Sequence, residues 1–172
     1  MSAELVFEEI TEMSIEDAND LTQLLVDVVA DGASIGFLPP LDPHVARVYW
    51  SDVLADNVVV WVARLDGAVV GSIQLHLATK QNAQHRAEIA KLMVHPTQQR
   101  KGMGRTLMAI AEKRAREENR TLLVLDTREK DPSNLLYQSI GYIEAGRIPF
   151  YAESPGKKFD ASVFYYKILE NR

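Results

Sequence analysis

Residues 93–105 of this chain read MVHPTQQRKGMGR. The pattern predicts a strand that ends near Val94, then a turn with two glycines, then a helix. Glycine lets a ligand approach the backbone closely, and the free amides at the start of a helix favour phosphate oxygens. Arg100, Lys101 and Arg105 add positive charge to the turn, whereas the whole chain carries a formal net charge of -5. The stretch therefore indicates a binding site for a pyrophosphate.

The spacing of the glycines separates this turn from the two commonest phosphate-binding motifs. It lacks the third glycine of the dinucleotide fingerprint, and it lacks the Lys-Ser/Thr pair of the P-loop. What remains is the pattern Gln99-x-x-Gly102-x-Gly104. An ordinary turn between a strand and a helix could carry the same residues, so the surrounding elements decide between the two interpretations.

Length and composition exclude several classes of site. With 172 residues the chain has the size of one domain, residues 1–172, and can bury a core without metal or disulfide staples. It has no cysteine, which excludes disulfides, zinc-thiolate sites and a cysteine nucleophile. Its four histidines show no ligand spacing, so we expect no metal site.

Charge and hydropathy bear on partners and location. The sequence pI is near 5.4 and no basic cluster is interleaved with aromatic residues, so we expect no nucleic-acid partner. The first residues lack the basic and apolar regions of a signal peptide, and no stretch has the apolar length of a membrane span. These features predict a soluble, cytoplasmic protein that has no membrane partner.

Hydrophobic periodicity predicts a mixture of strands and helices along the whole chain. Strands are expected at Leu5–Ile10, Val58–Arg64, Val69–Leu77, Arg86–Val94, Thr121–Asp126, Tyr142–Ala145 and Ala161–Leu169. Helices are expected from Ser14, over His44–Leu54, from Gly104, and between Asp131 and Gly141. The Asp-Gly pair at residues 66–67 predicts an antiparallel hairpin, and the later strand-helix-strand unit implies a parallel crossover. Exposed edges near Phe164, Tyr165 and Tyr166 could pair in a homodimer, although apolar strands also simply fill a core.

This order of elements, with the turn QRKGMG between the fourth strand and the third helix, resembles the GNAT N-acetyltransferase family over essentially the whole chain. The resemblance implies an α/β (α+β) GNAT fold, in which a mixed sheet of about seven strands is splayed at its centre and flanked by four helices. Within the family the chain is most similar to the tabtoxin-resistance type. The runs that carry this similarity are Gly32–Phe37, Arg86–Glu88, Lys91–Val94 and Leu125–Thr127.

The resemblance also implies acetyl-CoA as the cofactor, lying where the fourth and fifth strands part. The pantetheine arm would then bind the backbone of Leu92, Met93 and Val94. The pyrophosphate would bind at Gln99, Arg100, Lys101, Gly102, Met103, Gly104, Arg105 and Thr106. Asn134 would hydrogen-bond the cofactor arm, and Tyr137 would stand near the sulfur and protonate the departing thiolate. Alternatively, Tyr137 packs its ring on the core and keeps its hydroxyl in water.

Acetyl transfer to an amine also needs a base, because an alkylammonium is not a nucleophile at neutral pH. Glu88, in the fourth strand, matches the position of the catalytic glutamate in the histone-acetylating branch of the family. Asp126 is the second candidate, because it lies at the carboxyl end of the fifth strand, where open α/β sheets expose their ligand crevice. Either carboxylate could instead form a salt bridge or only bind the ammonium of the acceptor.

Residues Ser34, Ile35, Gly36 and Phe37 belong to a largely apolar loop between the first two helices, the usual acceptor side of the family, and are expected to shape the acceptor pocket. A buried connector would look the same. The resemblance implies direct transfer of an acetyl group to a small amine that is amino-acid-like or toxin-like. Two alternatives are a protein or peptide N-acetyltransferase and a non-catalytic acyl-CoA-binding sensor. The presence of Glu88, Asp126 and Tyr137 together argues against the sensor.

Overall fold

The computed structural model describes residues 2–170 and contains the predicted strands and helices in the predicted order. The strands are β1 (Leu5–Ile10), β2 (Val58–Leu65), β3 (Ala68–Leu77), β4 (Arg86–Val94), β5 (Leu122–Arg128), β6 (Ile143–Ser154) and β7 (Lys158–Ile168). The α-helices are α1 (Ile15–Ala30), α2 (Pro43–Ser51), α3 (Met103–Glu117) and α4 (Ser133–Ser139). A short 3-10 turn, Pro96–Gln98, joins β4 to the segment that precedes α3.

All seven strands form one mixed sheet in the order β1-β2-β3-β4-β5-β7-β6. The central pair β4 and β5 is parallel, as the crossover predicts, and the other neighbouring pairs are antiparallel. The parallel ladder holds only from Arg86, opposite Leu122, to Glu88, opposite Val124. Beyond Glu88 the two strands diverge, so the predicted splay at the centre of the sheet is confirmed.

Helices cover both faces of the sheet and define two hydrophobic cores. On one face α1 and α2 bury Leu21, Leu25 and Trp50 against β2 and β3. On the other face α3 and α4 bury Leu107 and Tyr137 against β3, β4, β5 and β7. The divergence of β4 and β5 therefore opens between two firmly packed layers.

The predicted bounds of three elements are wrong by at least three residues, and one of them is the start of β7, at Lys158 rather than Ala161. Helix α2 ends at Ser51, three residues before the predicted end at Leu54. Strand β6 continues to Ser154 rather than ending at Ala145. Most residues of β6 are exposed, so the strand has no hydrophobic alternation for a sequence pattern to detect, and its ladder with β7 holds it instead.

The structure also corrects the expected sheet edge. Residues 164–166 lie on β7, which pairs with β5 on one side and β6 on the other, so their backbone is not at an edge. The outer strand at this end of the sheet is β6. It carries the exposed apolar side chains Ile143, Ile148, Phe150 and Tyr151.

Residues 2–170 bear on the expectations about membranes and metals. No described helix is long and apolar enough to cross a membrane. The same residues contain no cluster of three or more histidine, aspartate or glutamate side chains placed to hold a metal ion.

Candidate active site

The predicted pyrophosphate turn, residues 99–106, is called the donor turn below. Arg100 and Gly102 both adopt left-handed backbone conformations, with φ of 62° and 83°. A Cβ placed on Gly102 would meet nothing within 4 Å, whereas one on Gly104 would lie 3.4 Å from Leu136 Cδ2. The two glycines therefore serve different purposes. Gly102 permits the left-handed backbone and leaves the space above the turn open, whereas Gly104 lies where α3 packs against Leu136 of α4.

The start of α3 is open to a ligand. No side chain of the described residues caps this helix, and the amide of Thr106 makes the first bond of the helix, to the carbonyl of Gly102 at 3.1 Å. The amides of the preceding turn are left without intrahelical partners and, with the helix dipole, favour an anion. Arg100 and Lys101 are exposed beside them, and the Gln99 side chain donates to the Val94 carbonyl at 3.1 Å, which ties the donor turn to β4.

The second half of β4 offers a free strand edge next to the donor turn. Met93 and Val94 pair with Ser72 and Gly71 of β3, on one side only, because the ladder to β5 has already ended at Glu88. The backbone of Leu92, Met93 and Val94 therefore borders the divergence. An extended chain that carries amide groups, such as pantetheine, can pair with such an edge in the manner of an added strand.

Asn134 lies on α4 but its carboxamide already has partners within the chain. The Tyr165 hydroxyl donates to Asn134 Oδ1 at 2.7 Å, and Nδ2 donates to the carbonyls of Arg128 at 3.0 Å and Asp131 at 2.8 Å. These bonds hold the end of β5, the start of α4 and β7 together. A bond from this amide to a cofactor, which remains a prediction, would have to use the second lone pair of Oδ1 or replace one of these bonds.

Tyr137 is buried beneath the divergence, with an exposed fraction of 6%. Its ring packs against Tyr142 and Tyr165, with ring centroids 6.0 and 5.9 Å away. The alternative that keeps its hydroxyl in water does not fit this burial. Burial, and next the charge of Asp131, raise the pKa of the Tyr137 hydroxyl above its ordinary value. The group stays protonated at neutral pH, as a proton donor must.

Glu88 and Asp126 lie on the same face of the sheet at the point where β4 and β5 part. Glu88 is opposite Val124 in the parallel ladder, and Asp126 follows Val124 by two residues. Partial burial, followed by the charge of Asp126, raises the pKa of Glu88. Partial burial likewise raises the pKa of Asp126, and the Lys91 ammonium opposes both shifts. Raised values bring both carboxylates nearer to the range of a general base, while their exposed sides keep contact with solvent.

The structure adds Lys91 to the predicted site. Its ammonium donates to the carbonyl of Ile35 at 2.6 Å and lies 5.8 Å from the ring centre of Phe37 and 5.9 Å from that of Tyr49. Sequence reasoning missed this residue because strand alternation from Glu88 places position 91 on the opposite face. The available signal was a lysine within an otherwise apolar strand, residues 89–94.

A second missed group lies on β3, on the face that carries Glu88. Gln74 is fully buried. Its Nε2 donates to the Tyr49 hydroxyl at 2.8 Å, and its Oε1 lies 2.8 Å from His76 Nε2. His76 is directly opposite Glu88 in the β3-β4 ladder. Burial and the nearby Lys91 ammonium lower the pKa of His76, which favours a neutral imidazole beside the carboxylates.

The face of the sheet that carries Glu88 and Asp126 continues from β5 onto its neighbour β7. Phe164 is directly opposite Asp126, and the ring of Tyr151 meets that of Phe164 edge-on with centroids 5.3 Å apart. The carboxylates therefore lie between two aromatic pairs, Phe37 with Tyr49 and Phe164 with Tyr151. A small cation beside the carboxylates would have aromatic surface on either side.

Comparisons with known proteins agree with this geometry. Residues 20–142 match the model of the Acetyltransferase (GNAT) family. The chain is 32% identical over 129 residues to an uncharacterized N-acetyltransferase in the hisH-hisA intergenic region of Azospirillum brasilense, which covers 73% of this chain and 77% of that protein.

Solved structures share the fold at lower identity. The structure of yncA from Salmonella typhimurium with its cofactor acetyl-CoA superposes with a TM-score of 0.78 at 18% identity, covering 98% of this chain and 95% of the other. A ribosomal-protein-alanine N-acetyltransferase from Brucella melitensis superposes with a TM-score of 0.80 at 23% identity, covering 95% and 99%. The chain therefore belongs to the GNAT family of N-acetyltransferases.

Proposed function

We propose that this acetyltransferase acts on the amine of a small, amino-acid-like molecule by direct transfer. The observation that carries the proposal is the pair Glu88 and Asp126, side by side at the divergence and between two aromatic pairs. The acceptor loop, residues 34–37, borders the same cleft through the contact of Ile35 with Lys91. A cleft with this lining suits a compact cation.

The geometry supports a separate role in the reaction for each of these side chains. The acceptor ammonium would lie beside Glu88 and Asp126, one of which takes its proton so that the nitrogen can attack the acetyl carbonyl carbon. The bond from that carbon to sulfur then breaks, and Tyr137 donates its proton to the departing thiolate. The buried, protonated hydroxyl of Tyr137 and the raised pKa values of the two carboxylates support these roles.

The resemblance to the tabtoxin-resistance type supports a particular kind of acceptor. The shared runs include the acceptor loop and the strand segments that carry Glu88 and Asp126. An amino acid that carries a strained or toxic side group, such as a β-lactam amino acid, is therefore a member of the acceptor class that we propose.

A peptide amine is the second candidate, and one observation favours it. On the face of the sheet beyond Asp126, Phe164 and Tyr166 are partly exposed and Ile148 is exposed. Residues that follow a peptide amine could lie over this surface.

A panel of amines distinguishes these candidates. Purified protein with acetyl-CoA would be tested against free amino acids, tabtoxinine-like β-lactams, simple diamines and short peptides, with release of free thiol as the readout. We expect the highest kcat/KM for a small amino-acid-like amine. Higher kcat/KM for peptides would support the second candidate, and tight binding of acetyl-CoA without turnover on any amine would contradict both in favour of a sensor.

A further inference from the structure

We propose that Lys91 is a positioning residue, whose ammonium holds the acceptor loop over Glu88 and Asp126 and thereby sets the affinity for the acceptor. The contacts of this ammonium with Ile35 and Phe37 of the loop are called the clasp below. The proposal rests on the proposed function, because it assumes that residues 34–37 border the acceptor. The clasp itself is a property of the fold and can be measured without turnover.

A bulge in β4 directs Lys91 into the cleft. Ala90 is opposite Gln74 and Met93 is opposite Ser72, so two residues of β4, Lys91 and Leu92, face the single residue between these partners. Lys91 has φ of 55°, in the left-handed region that non-glycine residues rarely adopt. The extra residue rotates the side chain onto the face of Glu88 instead of leaving it against α3. A strained residue retained at a functional edge is a reason to look for a role.

The ammonium makes several contacts with the acceptor side of the molecule. Besides the bond to the Ile35 carbonyl, it lies over the rings of Phe37 and Tyr49 at cation-π distances. Gly36 leaves the space that the ammonium occupies, because a Cβ at that position would lie 3.0 Å from Lys91 Nζ. The loop and the lysine are therefore matched in shape as well as in hydrogen bonding.

The segment just before the acceptor loop is also held, from the other side of the divergence. Arg128, at the end of β5, donates to the carbonyl of Gly32 at 2.8 Å. One cation from each diverging strand thus bonds the segment that contains the loop. Of the two, Lys91 is the one beside the carboxylates.

The charges around Lys91 come from three strands. Glu88 lies on β4, where Arg86 acts on it in turn, Asp126 lies on β5 and His76 on β3. The ammonium lowers the pKa of both carboxylates, and they in turn oppose the lowering of the Lys91 pKa by burial. Removing this charge should therefore change the titration of the base as well as the position of the loop.

The first test compares Lys91→Met with Lys113→Met, which removes a highly exposed lysine on α3. Lys91→Met should raise the acceptor KM about tenfold, the loss expected for one charge-assisted hydrogen bond, and leave the KM of acetyl-CoA unchanged. The acid limb of the pH profile of kcat/KM should also move to higher pH, because the loss of a neighbouring positive charge raises the pKa of both carboxylates. Lys91→Arg should return the acid limb to its original position, and a residue that only maintained packing would not move that limb.

The second test uses two glycines in left-handed conformations. Gly36→Ala should displace the ammonium and raise the acceptor KM as Lys91→Met does. Gly67→Ala, at φ of 88° with nothing within 4 Å of an added Cβ, should lose comparable stability without affecting the acceptor KM. Equal acceptor KM values for these two glycine variants would contradict the clasp.

Hydrogen exchange separates this proposal from the proposed function. The amides of the acceptor loop should exchange faster in Lys91→Met than in the unaltered protein and in Lys113→Met, whether or not an acceptor has been found. Faster exchange together with no turnover on any amine would support the clasp and overturn the function. Unchanged exchange, acceptor KM and acid limb in Lys91→Met would overturn the clasp.

Discussion

The donor side and the acceptor side of the divergence are built in opposite ways. The donor side is one continuous segment, from Leu92 to Thr106, and it offers mainly backbone: a free strand edge, two glycines and the uncapped start of α3. The acceptor side is a set of side chains from α2, β3, β4, β5 and the acceptor loop. The difference implies that substitutions that alter backbone conformation mainly change the binding of acetyl-CoA. Substitutions that alter charge or hydrogen bonding mainly change the reaction with the acceptor.

The largest effect is expected on the acceptor side, from removal of both carboxylates. Glu88→Gln combined with Asp126→Asn should lower kcat/KM for the acceptor about 1,000-fold, because no base remains to take the proton of the ammonium. The affinity for acetyl-CoA, measured by calorimetry, should stay unchanged because the donor side is built from other residues. Glu117→Gln, an exposed residue of α3, is the matched control. A loss of acetyl-CoA binding in the double variant would break the proposed separation of the two sides.

Tyr137 of α4 is the proposed acid, and its loss should have the next largest effect. Tyr137→Phe keeps the ring contacts with Tyr142 and Tyr165 but removes the proton donor. We expect kcat to fall about 100-fold, with the Kd of acetyl-CoA and the melting temperature nearly unchanged. Single-turnover measurements would show whether the chemical step has slowed. An unchanged kcat for that step would exclude Tyr137 as the acid and leave it as a core residue.

The two glycines of the donor turn sharpen the contrast with the acceptor side. Gly102→Ala forces a side chain into a left-handed conformation, so we expect acetyl-CoA to bind about tenfold more weakly. Gly104→Ala adds a methyl group at ordinary contact distance from Leu136, so its effect on binding should be smaller. Both Kd values would be measured by calorimetry. The reverse ranking would show that packing of α4, rather than backbone conformation, controls the donor side.

The smallest expected effect is a shift in pH dependence. Because burial and the charge of Asp126 raise the pKa of Glu88, the acid limb of kcat/KM should lie above the range of an ordinary carboxyl group. Asp126→Asn removes one of those causes, so the pKa of Glu88 falls and the limb moves to lower pH. This sign holds if Glu88 is the base. A limb that disappears in Asp126→Asn but persists in Glu88→Gln would assign the base to Asp126 instead.

The elements of the donor side could be predicted from the sequence because they are close together in the chain. The strand, the glycine spacing and the start of α3 fall within fifteen residues, and each depends on local backbone preferences. The same holds for the Asp66-Gly67 hairpin, where both residues adopt positive φ. The long edge strand β6 could not be predicted in the same way, because its conformation depends on pairing with β7 rather than on a hydrophobic face.

The acceptor side shows the limit of the same reasoning. Glu88 and Asp126 were identified as candidates by position, but their proximity follows from the three-residue parallel ladder between strands about forty residues apart. Lys91 was missed because a bulge, which no alternation pattern contains, turns it to the other face. The internal hydrogen bonds of Asn134 and the polar row of Tyr49, Gln74 and His76 also depend on contacts between distant segments.

By itself the sequence determined the order of the elements and predicted a phosphate-binding turn, because these depend on short-range periodicity, glycine placement and helix-end amides. The class of chemistry followed from the resemblance of the chain to a known family. Only the tertiary structure decided which side chains meet at the divergence, what holds the acceptor loop and how each carboxylate titrates. The physical reason is that pKa values and hydrogen-bond partners depend on burial and on charges brought close by folding, and neither is a local property of the chain.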